Sequence, residues 1–345
     1  MISSVTIQNS NLRFIRSHKS KNLIAAVGQK TVVILQLENS ILICKQRYVS
    51  ENVYEYYTCC DFLDYRDHIF IVVGGKPGTI TVINLTLGVF YSYIDTKTEI
   101  TCIKVYNNLI VSGGKDCTIQ VWDFIFSKKI KQFTGHKDIV LSLDVKENTI
   151  LSAGLDQSCM IWDICQEESY KPQCTIINLH RDIIIKTLFY GELVLTLSQD
   201  GKITICKPKY INNYKCYYSD DKTTTNNSDT VYNVNVNAHK TEYKFKEKRK
   251  LKHNFIFIKE LCLEDTVDVN VIEHSLICLN KYNGIFTLDL LKITDKNLEV
   301  SKIDTSKQEG ISFTTNGLKI FVLYEGSQIK AYNINNKDID VLDLI

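Results

Sequence analysis

A chain of 345 residues with 44% hydrophobic and 23% charged side chains can bury a large core, which excludes a tail or linker too polar to fold. Its 41 basic and 39 acidic residues leave a formal net charge of +2, which excludes a global field that would draw it to nucleic acid or an anionic membrane. No apolar run approaches the roughly 20 residues needed to cross a bilayer, and Met1 to Ser10 has no basic region followed by an apolar stretch. A soluble, unsecreted protein without membrane contact is therefore expected.

The first apolar strand with a clear end is Val32-Val33-Ile34-Leu35. Further on, Val72-Val73-Gly74-Gly75-Lys76-Pro77-Gly78-Thr79-Ile80-Thr81-Val82-Ile83-Asn84 returns 39 positions later, from Val111 to Asp123, with 7 positions identical. The second copy ends in Trp122-Asp123. The next repeat reads Ser152-Ala153-Gly154-Leu155-Asp156, then Met160-Ile161-Trp162-Asp163, with Gly135-His136 ahead of it. A Gly-His lead and a Trp-Asp ending at a period near 40 residues are the marks of a WD40 propeller blade.

Within these repeats Ser112, Ser152 and Thr196 each stand 4 residues before Asp116, Asp156 and Asp200, and Trp122, Trp162 and Cys206 follow the aspartates by 6. His136 and His180 precede Asp156 and Asp200 by 20. These spacings predict a hydrogen-bond chain of His136, Ser152, Asp156 and Trp162 in one blade and of His180, Thr196 and Asp200 in the next. Ser112, Asp116 and Trp122 hold the same places one blade earlier. A buried aspartate or histidine is costly unless paired, and once paired it locks the blade. The set is read as structural because it recurs with the repeat, whereas a catalytic triad occurs once per site.

Weaker blades keep the frame. Leu35 and Ile83 take the tryptophan position early in the chain; Leu288 before Asp289 and Tyr332 before Asn333 take it late. The anchors are spaced by 48, 39, 40, 44, 82 and 44 residues, so one interval holds a blade plus an insertion. The expectation is an all-β, seven-bladed WD40 β-propeller, a single domain over residues 1–345. Its inserted segment, 209–253, is expected between blades five and six. The middle of that segment, Ser219 to Asn237, is rich in Asp, Thr, Asn and Ser and is read as a disordered or loosely packed loop. It ends in Lys244-Phe245-Lys246-Glu247-Lys248-Arg249-Lys250-Leu251-Lys252-His253, with 6 positive and 1 negative side chains, so the rest of the chain nets 2 − 5 = −3. Such a run reads as an import signal or a nucleic-acid contact, or else as a solvated loop edge. The alternating Ile339-Asp340-Val341-Leu342-Asp343-Leu344-Ile345 is expected to close the ring, which removes unpaired sheet edges.

Twelve cysteines form no CxxC pair. Cys102, Cys117, Cys159, Cys206 and Cys278 lie in apolar strand patterns, so free thiols in a reducing compartment are expected, with no metal site. There is no Gly-rich phosphate loop, no HExxH and no nucleophile set outside the repeat frame. No enzymatic activity and no cofactor are expected.

Some segments are more specific than the repeat. Glu51-Asn52-Val53-Tyr54-Glu55-Tyr56-Tyr57-Thr58-Cys59-Cys60, followed by Gly74-Gly75 and the Ile83-Asn84 ending, resembles the second-blade region of the Polycomb WD40 proteins of the Extra sex combs / embryonic ectoderm development (EED) family. Gly135-His136-Lys137-Asp138-Ile139-Val140-Leu141-Ser142 resembles that family's Gly-His-Arg-Asp-x-Val-Leu-Ser. His180-Arg181, Gly191-Glu192-Leu193-Val194-Leu195 and Cys206-Lys207-Pro208 are similar to its fifth blade. The resemblance covers about residues 20 to 210, and the last two blades follow by frame alone.

It implies a nuclear, non-catalytic scaffold of a Polycomb repressive complex 2-like histone H3 methyltransferase, clasping an N-terminal segment of an Enhancer of zeste type methyltransferase subunit. It also implies an aromatic cage for trimethyl-lysine of the histone H3 tail, which works by cation-π attraction. Tyr57 matches the cage tyrosine. The Trp-Tyr pair of the family falls on Phe257 and Ile258, and its first-blade phenylalanine would lie near Ser10 or Asn11, with Phe14 the nearest ring. Each ring face contributes about 0.5 to 2 kcal/mol, so this reduced cage is expected to bind weakly. The competing reading is a cytoplasmic WD40 scaffold or ubiquitin-ligase substrate receptor, told apart by localisation and by the co-purifying partner.

Overall fold

The computed structural model describes residues 3–8, 10–165, 171–209, 233–235, 255–263, 265–282, 284–292, 300–304, 308–317 and 319–334. They form seven antiparallel sheets, each starting from an inner strand: Leu12–Ser17, Tyr57–Tyr65, Ile100–Tyr106, Val140–Lys146, Ile184–Tyr190, Thr266–Ile272 and Gly310–Asn316. From each inner strand the chain meanders outward through a second and a third strand to a fourth.

Every inner strand shifts register at its second step, as between Tyr57 and Cys59, Val140 and Ser142, or Gly310 and Ser312. An extra residue there bends and twists the strand, which lets four-stranded sheets fan around an axis. The turn into the third strand needs a positive φ. In blade two Gly78 supplies it at φ 80, and a Cβ there would lie 2.5 Å from the Thr98 carbonyl oxygen. Cys117 holds the equivalent place in blade three at φ 63.

The seven anchors occupy one register. Leu35, Ile83, Trp122, Trp162, Cys206, Leu288 and Tyr332 stand opposite Ile24, Ile71, Ile110, Ile150, Val194, Leu276 and Ile320, and all seven are buried. The core is distributed as layers between blades rather than gathered at a centre. In one layer Leu63, Phe70 and Val72 of blade two meet Ile103, Ile110 and Trp122 of blade three. In another, Ile15, Val33 and Leu35 of blade one meet Phe321, Leu323 and Ile329 of blade seven.

The structure differs from two sequence expectations. The ring is closed by the N-terminal strand Ser3–Thr6, which pairs antiparallel with Gln328–Asn333 as the outer strand of blade seven. Residues 339–345, expected in that role, lie outside the described residues. The second difference concerns the insertion, which interrupts blade five instead of separating it from blade six. Lys202–Pro208 pairs with Phe255–Cys262, so the segment between them joins the third and fourth strands of one sheet. An interval of 82 residues between anchors reveals that a segment is inserted but not on which side of a fourth strand it falls. Within it, Asn233–Asn235 adds a short parallel strand along Phe255–Cys262. The basic run Lys244–His253 lies outside the described residues.

Removing residues 1–6 is expected to cost about 2–4 kcal/mol by opening an unpaired edge on Gln328–Asn333. Removing 335–345 is expected to cost less. Urea unfolding of the two truncations compares them, and a larger loss from the C-terminal truncation would overturn this closure.

Candidate functional site

Blade four carries the complete polar chain. His136 Nδ1 lies 2.9 Å from Asp156 Oδ2 and its Nε2 lies 2.6 Å from Ser152 Oγ, while Trp162 Nε1 donates to the same hydroxyl at 2.8 Å. The Lys137 backbone N–H and the Ser158 hydroxyl also donate to Asp156, at 2.9 and 2.8 Å. Burial alone would raise the Asp156 pKa; the His136 hydrogen bond and charge, followed by the Lys137 N–H, overcome that and hold it far below the usual carboxylate range. Ser152 and Trp162 are fully buried and His136 nearly so, and the Ser152 hydroxyl also takes the Trp162 N–H. The set links the second and third strands of blade four to the turn ahead of its inner strand.

Blades three and five each lack one member. In blade three Trp122 Nε1 donates to Ser112 Oγ at 3.2 Å, but Thr96 stands where the histidine would be and bonds instead to the Gly78 carbonyl at 2.7 Å. Gln120 partly substitutes, its Nε2 reaching Asp116 Oδ2 at a long 3.5 Å. In blade five His180 Nε2 meets Thr196 Oγ1 at 2.7 Å, but its Nδ1 has no partner, and Asp200 is engaged by Lys202 instead. The expected His180–Asp200 link is thus not made. Burial pushes the His180 pKa down to about 4, against the opposing pull of Asp200.

The remaining blades drop the polar set together. At the serine and tryptophan positions they carry Ala25 with Leu35, Val73 with Ile83, Cys278 with Leu288, and Val322 with Tyr332. Removing both partners is far cheaper than orphaning one in a buried site. In blade seven the Tyr332 hydroxyl finds a substitute in that of Tyr324 at 2.9 Å.

Of the three rings expected to form a cage, Tyr57 and Phe14 share one layer and Phe257 lies apart from them. Tyr57 is only 4% exposed and packs with Val27, Ile34, Ile71 and Ile83 between blades one and two, where Phe14 also lies against the cluster. Burial first, then the charge of Glu55, pushes the Tyr57 pKa up to about 12. Phe257 is elsewhere: it stands opposite Cys206 on the outer strand of blade five and packs against the layer between blades four and five. Its placement follows from the position of the insertion, which puts Phe257 and Ile258 at the end of blade five rather than at the start of blade six.

Large exposed hydrophobics gather on the outer hairpins of three consecutive blades: Ile41 and Ile43 in blade one, Val89, Phe90, Tyr91 and Tyr93 in blade two, Phe126 and Ile130 in blade three. Rings bridge the blades, with Tyr48 edge-on to Phe90 at 6.0 Å and Tyr91 stacked on the buried Phe124 at 5.2 Å. Nothing in the hydrophobic pattern distinguished it, because outer strands and inner strands both alternate. Among the described residues no group of three or more His, Cys, Asp or Glu side chains is placed to hold a metal ion. Most described cysteines are buried, and burial pushes the Cys174 thiol up to about 11 and those of Cys102 and Cys159 to about 12, as for inert core thiols.

With this geometry established, comparisons with known proteins agree on the architecture. The WD domain, G-beta repeat family matches residues 87–123 and 127–163. An uncharacterized WD repeat-containing protein of Schizosaccharomyces pombe is 32% identical over 63 residues, a stretch covering 18% of this chain and 16% of that protein. A chain of the crystal structure of the Chaetomium thermophilum polycomb repressive complex 2 superimposes with a TM-score of 0.72 at 15% identity, covering 96% of each chain. A chain of an active polycomb repressive complex 2 in the basal state gives 0.72 at 14% identity, again covering 96% of each. The chain is a seven-bladed WD40 β-propeller. At such identities the structural likeness is one of fold.

Two outcomes follow for the polar chains. Asp156→Ala leaves His136 and Ser158 without their acceptor and is expected to cost about 2–4 kcal/mol in urea unfolding; an unchanged midpoint would mean that the chain carries no stability. For His180 the folded pKa is depressed, so the unfolded imidazole takes up a proton from about 6.5 downward while the folded one resists until about 4. Stability is then full above pH 6.5 and falls by about 2–3 kcal/mol toward pH 4. His180→Gln is expected to flatten that slope, and an unaltered slope would contradict it.

Proposed function

We propose that this propeller is a non-catalytic scaffold subunit of a nuclear, Polycomb repressive complex 2-like histone H3 methyltransferase, binding an Enhancer of zeste type catalytic subunit. The observation that carries the reading is a likeness to chains of polycomb repressive complex 2 over 96% of both partners, together with the motif resemblance of blades two to five. Low identity makes the first a statement about shape, and the motifs add the specificity that shape lacks. A scaffold also suits the chemistry. The polar sets are consumed inside blades, while large apolar side chains stand exposed on the outer hairpins of blades one to three, and exposed apolar patches mark protein contact surfaces.

Methyl-lysine reading is a separate matter. Tyr57 is packed in a blade layer and Phe257 lies three blades away from it, so affinity for a trimethylated histone H3 peptide is expected to be weak or absent. Capture of an Enhancer of zeste type methyltransferase by the tagged full-length chain from nuclear extract, identified by mass spectrometry, tests the scaffold role; failure to capture any methyltransferase overturns it. Calorimetry with trimethylated and unmethylated peptides tests the second half. Methylation-dependent binding as tight as a complete cage gives would show that other rings assemble one.

A further inference from the structure

Six of the charged residues on the inner strands pair across blade junctions, and their pairing follows a rule that the blade repeat itself does not contain. Arg16 of blade one lies 2.9 Å from Asp61 of blade two; Lys104 of blade three lies 3.0 Å from Asp144 of blade four; Lys186 of blade five lies 2.9 Å from Asp268 of blade six. In all three pairs the cation meets Oδ1 of the aspartate. The other oxygen, Oδ2, reaches forward: it accepts the backbone N–H of Val105 in blade three at 2.9 Å, of Phe189 in blade five at 2.8 Å, and of Phe313 in blade seven at 3.3 Å.

Each even-numbered blade therefore holds an aspartate that ties the cation behind it to the backbone ahead of it. The side chains are shielded, Asp61, Asp144 and Asp268 being 7%, 18% and 9% exposed, so these ties are not the weak surface kind. A buried carboxylate satisfied on both oxygens is costly to release by halves, because losing one partner strands the charge. Burial alone would raise the Asp61 pKa, yet Arg16 and Lys104 hold it below the usual range.

Three such aspartates span six junctions, and a ring of seven has one more. The remaining junction, blade seven to blade one, is bridged by neutral groups: the Ser17 N–H donates to Thr314 Oγ1 at 2.8 Å, Asn316 Nδ2 to the Lys21 carbonyl at 2.7 Å, and the Leu12 N–H to Ser327 Oγ at 3.1 Å. The third strand of blade seven, Gln328–Asn333, has no peptide link forward into blade one; its outer strand Ser3–Thr6 comes from the start of the chain, is held to it by pairing alone, and leads directly into Leu12–Ser17 of blade one. We propose that the aspartates of blades two, four and six staple the propeller into one block, and that the junction of blades seven and one is the seam at which the ring opens, with Ser3–Thr6 as its latch. Two-blade stapling is incompatible with an odd blade number at one place only, and the chain has put its own end there.

Hydrogen exchange read by mass spectrometry on the full-length chain tests this. Third strands are compared, since they are paired on both sides in every blade. Gln328–Asn333 is expected to exchange about tenfold faster than Thr118–Asp123 or Lys202–Pro208, through opening that does not unfold the rest. Asp144→Asn is expected to raise exchange about tenfold in the inner strands of both blades three and five, on either side of the substitution, while leaving blade seven as it was. Should Asp144→Asn fail to fold, Lys104→Met removes the cation alone and is expected to loosen the same two inner strands more mildly. Equal protection of all seven third strands overturns the seam, and an effect confined to blade four, or spread evenly over the molecule, overturns the stapling.

Discussion

An antiparallel sheet that ends in an open edge invites unwanted pairing, and a fan of separate four-stranded sheets multiplies that hazard unless the fan closes on itself. Closure is the constraint on which the rest of this structure depends. It requires every blade to present the same register at the axis, which the recurring inner-strand bulge and the seven anchors provide. It also requires one blade to be completed without chain continuity, and the chain does so by lending its first strand, which leads into blade one, to its last blade. The interblade layers of apolar side chains form only once that geometry is set, because each layer takes residues from both neighbours.

Polar pairing inside the molecule follows an economy of completeness. Blade four keeps histidine, serine, aspartate and tryptophan with all their bonds, whereas four other blades carry apolar or mutually bonded side chains at the serine and tryptophan positions. The two intermediate cases show the strain of partial loss. Gln120 reaches for the aspartate that no histidine serves, and His180 is left with an unpartnered Nδ1 and a depressed pKa. The aspartates at the axis obey the same logic at longer range, since each is satisfied on one oxygen by the blade behind and on the other by the blade ahead. What holds one blade together is different in kind from what holds blade to blade, although both rest on buried carboxylates.

Much of the fold was legible in the sequence because its period is visible even where its signature residues are gone. Leu35, Ile83, Cys206, Leu288 and Tyr332 share nothing chemically with tryptophan beyond being buried, yet spacing alone located all of them. What spacing does not encode is the partner of an outer strand. For that reason spacing points to an insertion after blade five where the structure has it within that blade, to Phe257 in blade six where it lies in blade five, and to closure by the C-terminal segment where Ser3–Thr6 pairs with blade seven. The surroundings of Tyr57 are illegible for a different reason. A motif match names a residue type at a position, whereas whether its ring is open to a ligand depends on Phe14, Ile34 and Ile71, which come from other strands and another blade. The axial charges went unread although a signal was present: Arg16, Asp61, Lys104 and Asp144 stand at one offset from the bulge in consecutive inner strands, alternating in sign.

A closed ring of packed blades is suited to holding other proteins in place, and the proposed role in a methyltransferase complex depends on that closure. The closure itself can be trapped chemically. Ser4 stands opposite Lys330 in the pairing of the first strand with the last blade, so Ser4→Cys with Lys330→Cys places two thiols across the junction. Mild oxidation followed by peptide mapping is predicted to yield a disulfide joining the two segments and to raise the urea midpoint of the oxidised form above that of the reduced one. Absence of that crosslink under conditions in which each single cysteine remains reactive, or a crosslink that leaves the midpoint unchanged, would contradict an N-terminal strand that closes the ring on blade seven.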